Sequence, residues 1–458
     1  MSVIEPSEFM PGLFTQEGAA KLAQQTPPLP WLADQRDSAL ASWLDRPWPT
    51  RKTEDWKYTS LDVLAQGDYL RFCDANSEYL DIPSSLYTVE GLAANRLVFV
   101  NGHLAPELCS DAGMAVKADS GTSEATIVRF CNANDSQRML IEKHLGSIAN
   151  LESSPFTALN SGWLDDGVLL HVPKQTNATQ PLHVVNITTP NTQAFSVRQR
   201  LLVVLETGST ATVIEHFVST EEQQSSFVNG VTELQVSHGA QLNHYRLHLE
   251  EEHSIHIGGV YAQLQRDARL ESFLLGLGSQ LKRIDLRVQH QGPGSHCQLN
   301  GVYLPREHQH IDVHSTIEHE APYGTTEEVF RGIIDDHATA VFNGRIHIHP
   351  HAQQTLAELS NKNLLLTNTA TVNTKPELEI YADDVRCAHG ATVSQIEDQA
   401  LYYMESRGID RKEAEVMLSF GFINELLNKL SLEPIQKLLR PVLTEWFGRD
   451  SALTRHIE

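Results

Sequence analysis

The sequence predicts a mainly β protein: a parallel β-helix core between helical segments at either end. Three observations predict it. From about residue 165 to 395, short runs rich in Val, Ile, Leu and Thr follow one another, with turn residues between them and no convincing long helical pattern. Small-residue corners recur through the same region, and helical periodicity returns only outside it. A pair of β-sandwiches is the second architecture these observations allow.

The corners are Gly208-Ser209, Gly239-Ala240, Asp267-Ala268, Gly294-Ser295, His337-Ala338, His351-Ala352, Thr369-Ala370 and Gly390-Ala391. Their uneven spacing excludes a strict repeat but fits a solenoid whose turns vary in length. A parallel β-helix needs no crossover helices, because each coil feeds the next, and it needs small residues where the chain turns sharply.

The organisation follows as residues 1–160, helical and mixed; 161–392, the β-helix; and 393–458, helical. In the first zone, "WLADQRDSALASWLD" brings Leu32, Ala39, Leu40, Trp43 and Leu44 to one face, and Pro47 and Pro49 stop the helix. "RKTEDWKYTSL" follows and predicts a packed elbow around Trp56 and Tyr58. In the last zone, "SQIEDQALYYMESRG" aligns Ile396, Ala400, Leu401 and Met404 and ends at Gly408, which suits a C′ position. The next helix opens at Asp410 with Glu413 three residues on, a capping-box pattern, and its stripe runs through Ala414, Met417, Leu418, Phe422, Leu426 and Leu427. A third helix contains Pro441. These helices are expected to cover a solenoid end or to serve as a docking platform.

The net charge of −23 makes nucleic acid and anionic lipid poor partners. Five scattered cysteines (Cys73, Cys109, Cys131, Cys297 and Cys387) form no Cys-x-x-Cys pair and argue against a disulfide framework. The first residues carry no basic and apolar signal pattern, and no apolar run has the length of a membrane span. The expected compartment is the cytoplasm.

The chemistry concentrates in "LEIYADDVRCAHG". Read as one strand, it places Cys387 and His389 at alternate positions, side by side on one face. A thiolate and an imidazole there can share a soft or borderline metal, but two ligands do not complete a tetrahedral shell. The rest must come from elsewhere in this chain or from a second chain. Gly390 is expected to end the strand, which puts the pair at the solenoid's edge. Taken alone, Cys-x-His is a weak motif, and a lone free cysteine is most often core packing.

"CAHGATVSQIEDQALYYMESRGI" resembles the C-terminal signature of the SufB/SufD family, scaffold proteins of the SUF iron–sulfur cluster assembly machinery. "NKNLLLTNTATVNTKPELEIYADDVRCAHGAT", "VFNGRIHIHPHAQQT" and "PTRKTEDWKYTSL" extend the resemblance over residues 49 to about 425. Ala388 and Gly390 stand where the SufB branch typically has glutamates, so the resemblance is closest to the SufD branch. It implies a right-handed parallel β-helix flanked by helical domains. It also implies a subunit without catalysis of its own, paired with SufB through the β-helix end and docking the SufC ATPase through its C-terminal helices. Cys387 and His389 would face SufB, whose own cysteine and neighbours supply the missing ligands. No cofactor is expected to be tightly bound in the isolated chain, only iron or an iron–sulfur cluster held transiently in the complex. A homodimer is plausible when SufB is absent.

His347, His349 and His351 alternate and would share a face if the strand is regular, which suits solvent-facing histidines better than a metal site. His308, His310, His314 and His319 sit among acidic residues that could make a weak oxygen-and-nitrogen site for a divalent metal, though structural histidines are the favoured reading, and Cys297 matches no motif. The sequence holds no G-x-x-x-x-G-K-[ST], G-x-G-x-x-G or G-x-S-x-G, so any ATP is hydrolysed by another chain. A β-helix carbohydrate-active enzyme would need paired carboxylates. The doublets Asp335-Asp336 and Asp383-Asp384, read as strand residues, point to opposite faces. A structural adaptor with Cys387 as mere core is the third alternative.

Overall fold

The computed structural model describes residues 29–447 apart from 68, 70–81, 111–114, 117–124, 152–153, 192, 221–224 and 251–252. The N-terminal segment read for a signal pattern and Cys73 lie outside the described residues. No described helix is long and apolar enough to cross a membrane.

From Val168–Val172 onward successive strands fall alternately into two ten-stranded sheets, each almost wholly parallel. Sheet I contains Gln241–Glu250, Arg269–Gly278, His296–Tyr303, Thr325–Ile334, Thr355–Leu365 and finally Val385–Ser394. Sheet II contains Ser254–Leu264, Leu281–His290, His310–His319, Thr339–Ile348 and finally Thr371–Ile380. The chain thus winds as a parallel β-helix flattened into two walls. In sheet I, Gln241 pairs with Arg269, Arg269 with His296, His296 with Thr325, and Thr325 with Leu356. Coil length changes from turn to turn, hence the uneven corner spacing in the sequence.

The corners explain the small residues. Gly208, Gly239, Asp267 and Gly294 adopt positive φ, and the residues after them, Ser209, Ala240, Ala268 and Ser295, are fully buried. A larger side chain there would invade the space between the walls. Gly390-Ala391 is an exception: it lies inside the strand Val385–Ser394, which runs on past Gly390 instead of ending there. "LEIYADDVRCAHG" is likewise two strands, because the chain turns from sheet II to sheet I through Ala382–Asp384.

Apolar side chains from both walls meet in one continuous core that runs from Leu97 to Ala382. Each wall is also apolar outside, and helices cover those outer faces. Helix α1 (Ala33–Leu44) and helix α2 (Pro155–Gly162) pack with Trp56 onto Phe227, Ile255, Ile257 and Leu281 of sheet II. The expected elbow is a tight turn at Glu54–Trp56. Thr59 donates to Asp312 (2.5 Å), Arg283 donates to the Asp55 carbonyl (2.7 Å), and the Arg283 guanidinium sits 4.7 Å from the Trp56 ring.

At the other end of the chain, α3 (Asp398–Ser406) stops before Gly408, whose φ of 83° is the expected C′ conformation. Asp410 caps α4 (Arg411–Asn428) by accepting from the Lys412 N–H. Helices α4 and α5 (Glu433–Phe447) lay Phe420, Ile423, Leu427, Ile435, Leu439 and Leu443 on Tyr245, Leu247, Phe273, Leu275 and Val302 of sheet I. The seam is rotated from the expected stripe: Met417, Leu418 and Phe422 are half-buried, and Phe420 and Ile423 take the centre. These helices flank the solenoid. They do not cap it: their apolar stripes are buried against the apolar outer face of sheet I.

Candidate functional site

The last coil has nothing stacked on it among the described residues. Its two strands, Thr371–Ile380 and Val385–Ser394, are the final strands of sheets II and I. Val385–Ser394 is largely exposed and Thr371–Ile380 half-buried, in contrast to the more buried strands one coil earlier. Ile380 (42% exposed), Tyr381 (61%) and Val393 (47%) present apolar surface at this open end.

Cys387 pairs in register with Ala357, and His389 with Leu359. Ala357 and Leu359 are core residues between the walls, so Cys387 and His389 belong to the same inward-facing rows. They share a face as expected, but it is the inner face. They reach solvent because, among the described residues, no further coil lies beyond them. Cys387 is half-buried and packs against the end of the core, whereas His389 is exposed. Partial burial raises the Cys387 thiol above its ordinary value, and a backbone hydrogen bond at Ala357 offsets part of that. A partner that completed the coil with a cation or a metal would favour the thiolate.

The remaining candidates separate. His319 stacks on His290 at 4.1 Å, and both rings bond the Thr326 hydroxyl at 3.0 Å, deep in the core. His310 bonds Thr59 (2.9 Å), His314 faces Asp312 (3.1 Å), and His308 stacks on His337 (5.3 Å). This run therefore forms no common site. Of the alternating histidines, His347 and His349 come together with Glu318, while the exposed His351 stays outside the group. The strand ends at Ile348, so the expected three-histidine face does not form.

Cys297 is fully buried. Burial, reinforced by the neighbouring Glu328, pushes its thiol far above the usual range, as suits a packing residue. The aspartate doublets lie at turns and not in strands. The Asp336 N–H bonds Asp335 (2.8 Å), the Glu307 N–H bonds Asp336 (3.1 Å), and Asp383 and Asp384 are exposed.

Sequence reasoning passed over one cluster. His244, Arg246, His248 and Glu250 alternate along the inner face of Gln241–Glu250, and the whole row is buried. Glu215 accepts from His244 and Arg246 (both 2.9 Å) and from Thr232 (2.7 Å). Burial alone would raise its carboxyl, but Arg246 and His244 hold it down at about 2. Glu250 takes the Lys282 ammonium at 2.8 Å and His256 at 2.6 Å, with His248 at 3.2 Å. His248, Glu250 and His256 have metal-ligand spacing, but Lys282 already neutralises Glu250. The interior thus holds a paired charge network. Its signal in the sequence was the alternation of polar residues in "LNHYRLHLE".

Two family descriptions match consecutive parts of the chain: "SufBD protein N-terminal region" over residues 12–184, and "SUF system FeS cluster assembly, SufBD core domain" over residues 187–422. An iron–sulfur cluster assembly SufBD family protein of Synechocystis is 31% identical over 403 residues, 86% of either chain. The iron–sulfur cluster assembly protein SufD of Escherichia coli is 31% identical over 391 residues, covering 85% of this chain and 87% of its own. The chloroplastic protein ABCI7 of Arabidopsis thaliana is 27% identical over 415 residues, 88% and 84% of the two chains. Together with a β-helix carrying the Cys-Ala-His-Gly-Ala-Thr strand on its last coil, these similarities establish that the chain belongs to the SufBD family of the SUF iron–sulfur cluster assembly system.

Proposed function

We propose that this chain is a SufD-type scaffold subunit that pairs with SufB across the open end of its β-helix and holds iron, or a nascent iron–sulfur cluster, at the junction. The observation that carries this reading is the position of Cys387 and His389: adjacent inward rows of the terminal coil, one half-buried and one exposed, in a wall that no described residue covers. A second β-helix end abutting this one would bury both and could supply the remaining ligands. Iron is cargo here and not a resident cofactor.

The SufC ATPase docks on the C-terminal helices in this reading. Tyr402 (73% exposed) and Tyr403 (56%) on α3 offer amphipathic anchors of the kind interfaces favour. Nucleotide-driven closure of SufC would pull on α3–α5, and sheet I beneath them would carry that pull toward its last strand. The chain itself performs no catalysis in this scheme and works in the reducing cytoplasm.

The test is reconstitution of the complex with SufB and SufC, with Cys387→Ala and His389→Ala introduced separately. Iron content and cluster formation, followed anaerobically by visible absorption, are expected to fall in both. Wild-type values in both variants would remove the pair from the mechanism.

A further inference from the structure

We propose that Glu318, His347 and His349 form a surface site for a first-row divalent metal ion of borderline ligand preference, Fe(II) or Zn(II). This site goes beyond the pair at the open end. It lies on the outer face of sheet II, whereas Cys387 and His389 face inward from sheet I.

The register builds it. Glu318 and His347 are direct partners on neighbouring parallel strands, so their side chains rise from adjacent rungs on the same face. His349 follows just beyond the strand, and its backbone is fixed by a 3.0 Å hydrogen bond from its N–H to the His319 carbonyl. One ligand atom from each of the three residues lies within 4.8 Å of the others. Small rotamer changes close that spread onto a metal at about 2.0–2.2 Å from each donor.

The donors are in a state to bind. His349 Nε2 is shielded from water and has no hydrogen-bond partner; the nearest Glu318 oxygen is 3.8 Å away. The His347 and His349 rings sit 4.3 Å apart, and Tyr381 closes one side with its ring 5.5 Å from His347. Glu379, the carboxylate paired in register with His347 on the far side, is engaged by a bidentate Arg345 (3.0 and 2.7 Å). Glu318 remains to supply the negative charge. Two imidazoles and one carboxylate, with positions left open, are the ligand set of non-haem Fe(II) sites and of His₂Glu zinc sites.

The experiment uses the full-length protein under anaerobic conditions. Co(II) serves as a visible-absorption probe, and equilibrium dialysis with Zn(II) or Fe(II) measures retention. The expected result is one equivalent bound by the wild type and by Cys387→Ser, with at least a roughly tenfold weaker affinity in the His347→Ala/His349→Ala double variant and an intermediate loss in Glu318→Gln. Thermal melts confirm that these exposed-face substitutions leave the fold intact. Binding by the double variant equal to wild type, or loss of binding in Cys387→Ser alone, would overturn the assignment. Retention of Fe(II) or of Zn(II) decides which of the two the site prefers.

Discussion

Cys297 and Cys387 stand in one inward-facing column of sheet I, with only Thr326 and Ala357 between them in register. The column is continuous, but its two thiols have opposite access: Cys297 is sealed in the core, while Cys387 is half-buried at the mouth. Thiol alkylation followed by peptide mapping is therefore expected to modify the exposed Cys131 first and Cys387 more slowly, and to reach Cys297 only after denaturation. Early modification of Cys297 in the folded protein would show that the column is open to solvent along its length. Addition of SufB is expected to protect Cys387.

Glu328 lies in the same interior, fully buried, with no hydrogen-bond partner for its carboxyl oxygens. Burial raises its carboxyl from an ordinary 4.5 to about 7, and the nearby Ser315 hydroxyl offsets only part of this. The unfolded chain releases this proton near 4.5 and the folded protein near 7. The protonated group therefore costs nothing below 4.5, and stability falls as pH rises from 4.5 through 7. The full loss is about 3 kcal/mol. Glu328→Gln should flatten this slope: denaturant melts at pH 5 would differ little from wild type, and melts at pH 8 would show a more stable variant. Parallel pH profiles for the two proteins would exclude Glu328 as the source.

Lys282 and Glu250 are both buried, and their ion pair is supported by His248 and His256. Removing one member leaves an uncompensated charge between the walls. Lys282→Met is expected to destabilise by about 3–5 kcal/mol in chemical denaturation, and adding Glu250→Gln should recover much of that. A strictly additive double variant would mean that the two groups do not depend on one another.

At the open end the expectation reverses. His389 is exposed and Cys387 has no coil above it, so Cys387→Ala and His389→Ala should each change the stability of the isolated chain by less than about 1 kcal/mol. Their effect should emerge only in the assembled complex. A large stability loss in the isolated chain would assign the pair to the chain's own core.

The β-helix was legible because two periodicities reinforced each other: strand-forming runs, and small residues at the corners, where Ser209, Ala240 and Ala268 are walled in. The pairing of Cys387 with His389 was legible because alternation along a strand survives any error in where the strand begins. What failed was everything decided by the third dimension. "LEIYADDVRCAHG" read as one strand because nothing local marks Ala382–Asp384 as a change of wall. The C-terminal helices read as a lid or a docking platform, and the lid reading failed because their apolar stripes do not say which surface they seek. Glu318 was invisible as a partner of His347, since a residue pair separated by a full coil meets only once the register is known.

A solenoid that stops without a lid is unfinished by its own physics. Among the described residues, no strand pairs with the outer edge of either strand of its last rung, and an apolar mouth lies between them, the features that globular proteins usually work to conceal. A partner seated on that end would complete the core, as the proposed pairing with SufB requires. Kept from its natural neighbour, this chain should turn to the nearest complementary edge, another copy of itself meeting it end to end about a twofold axis.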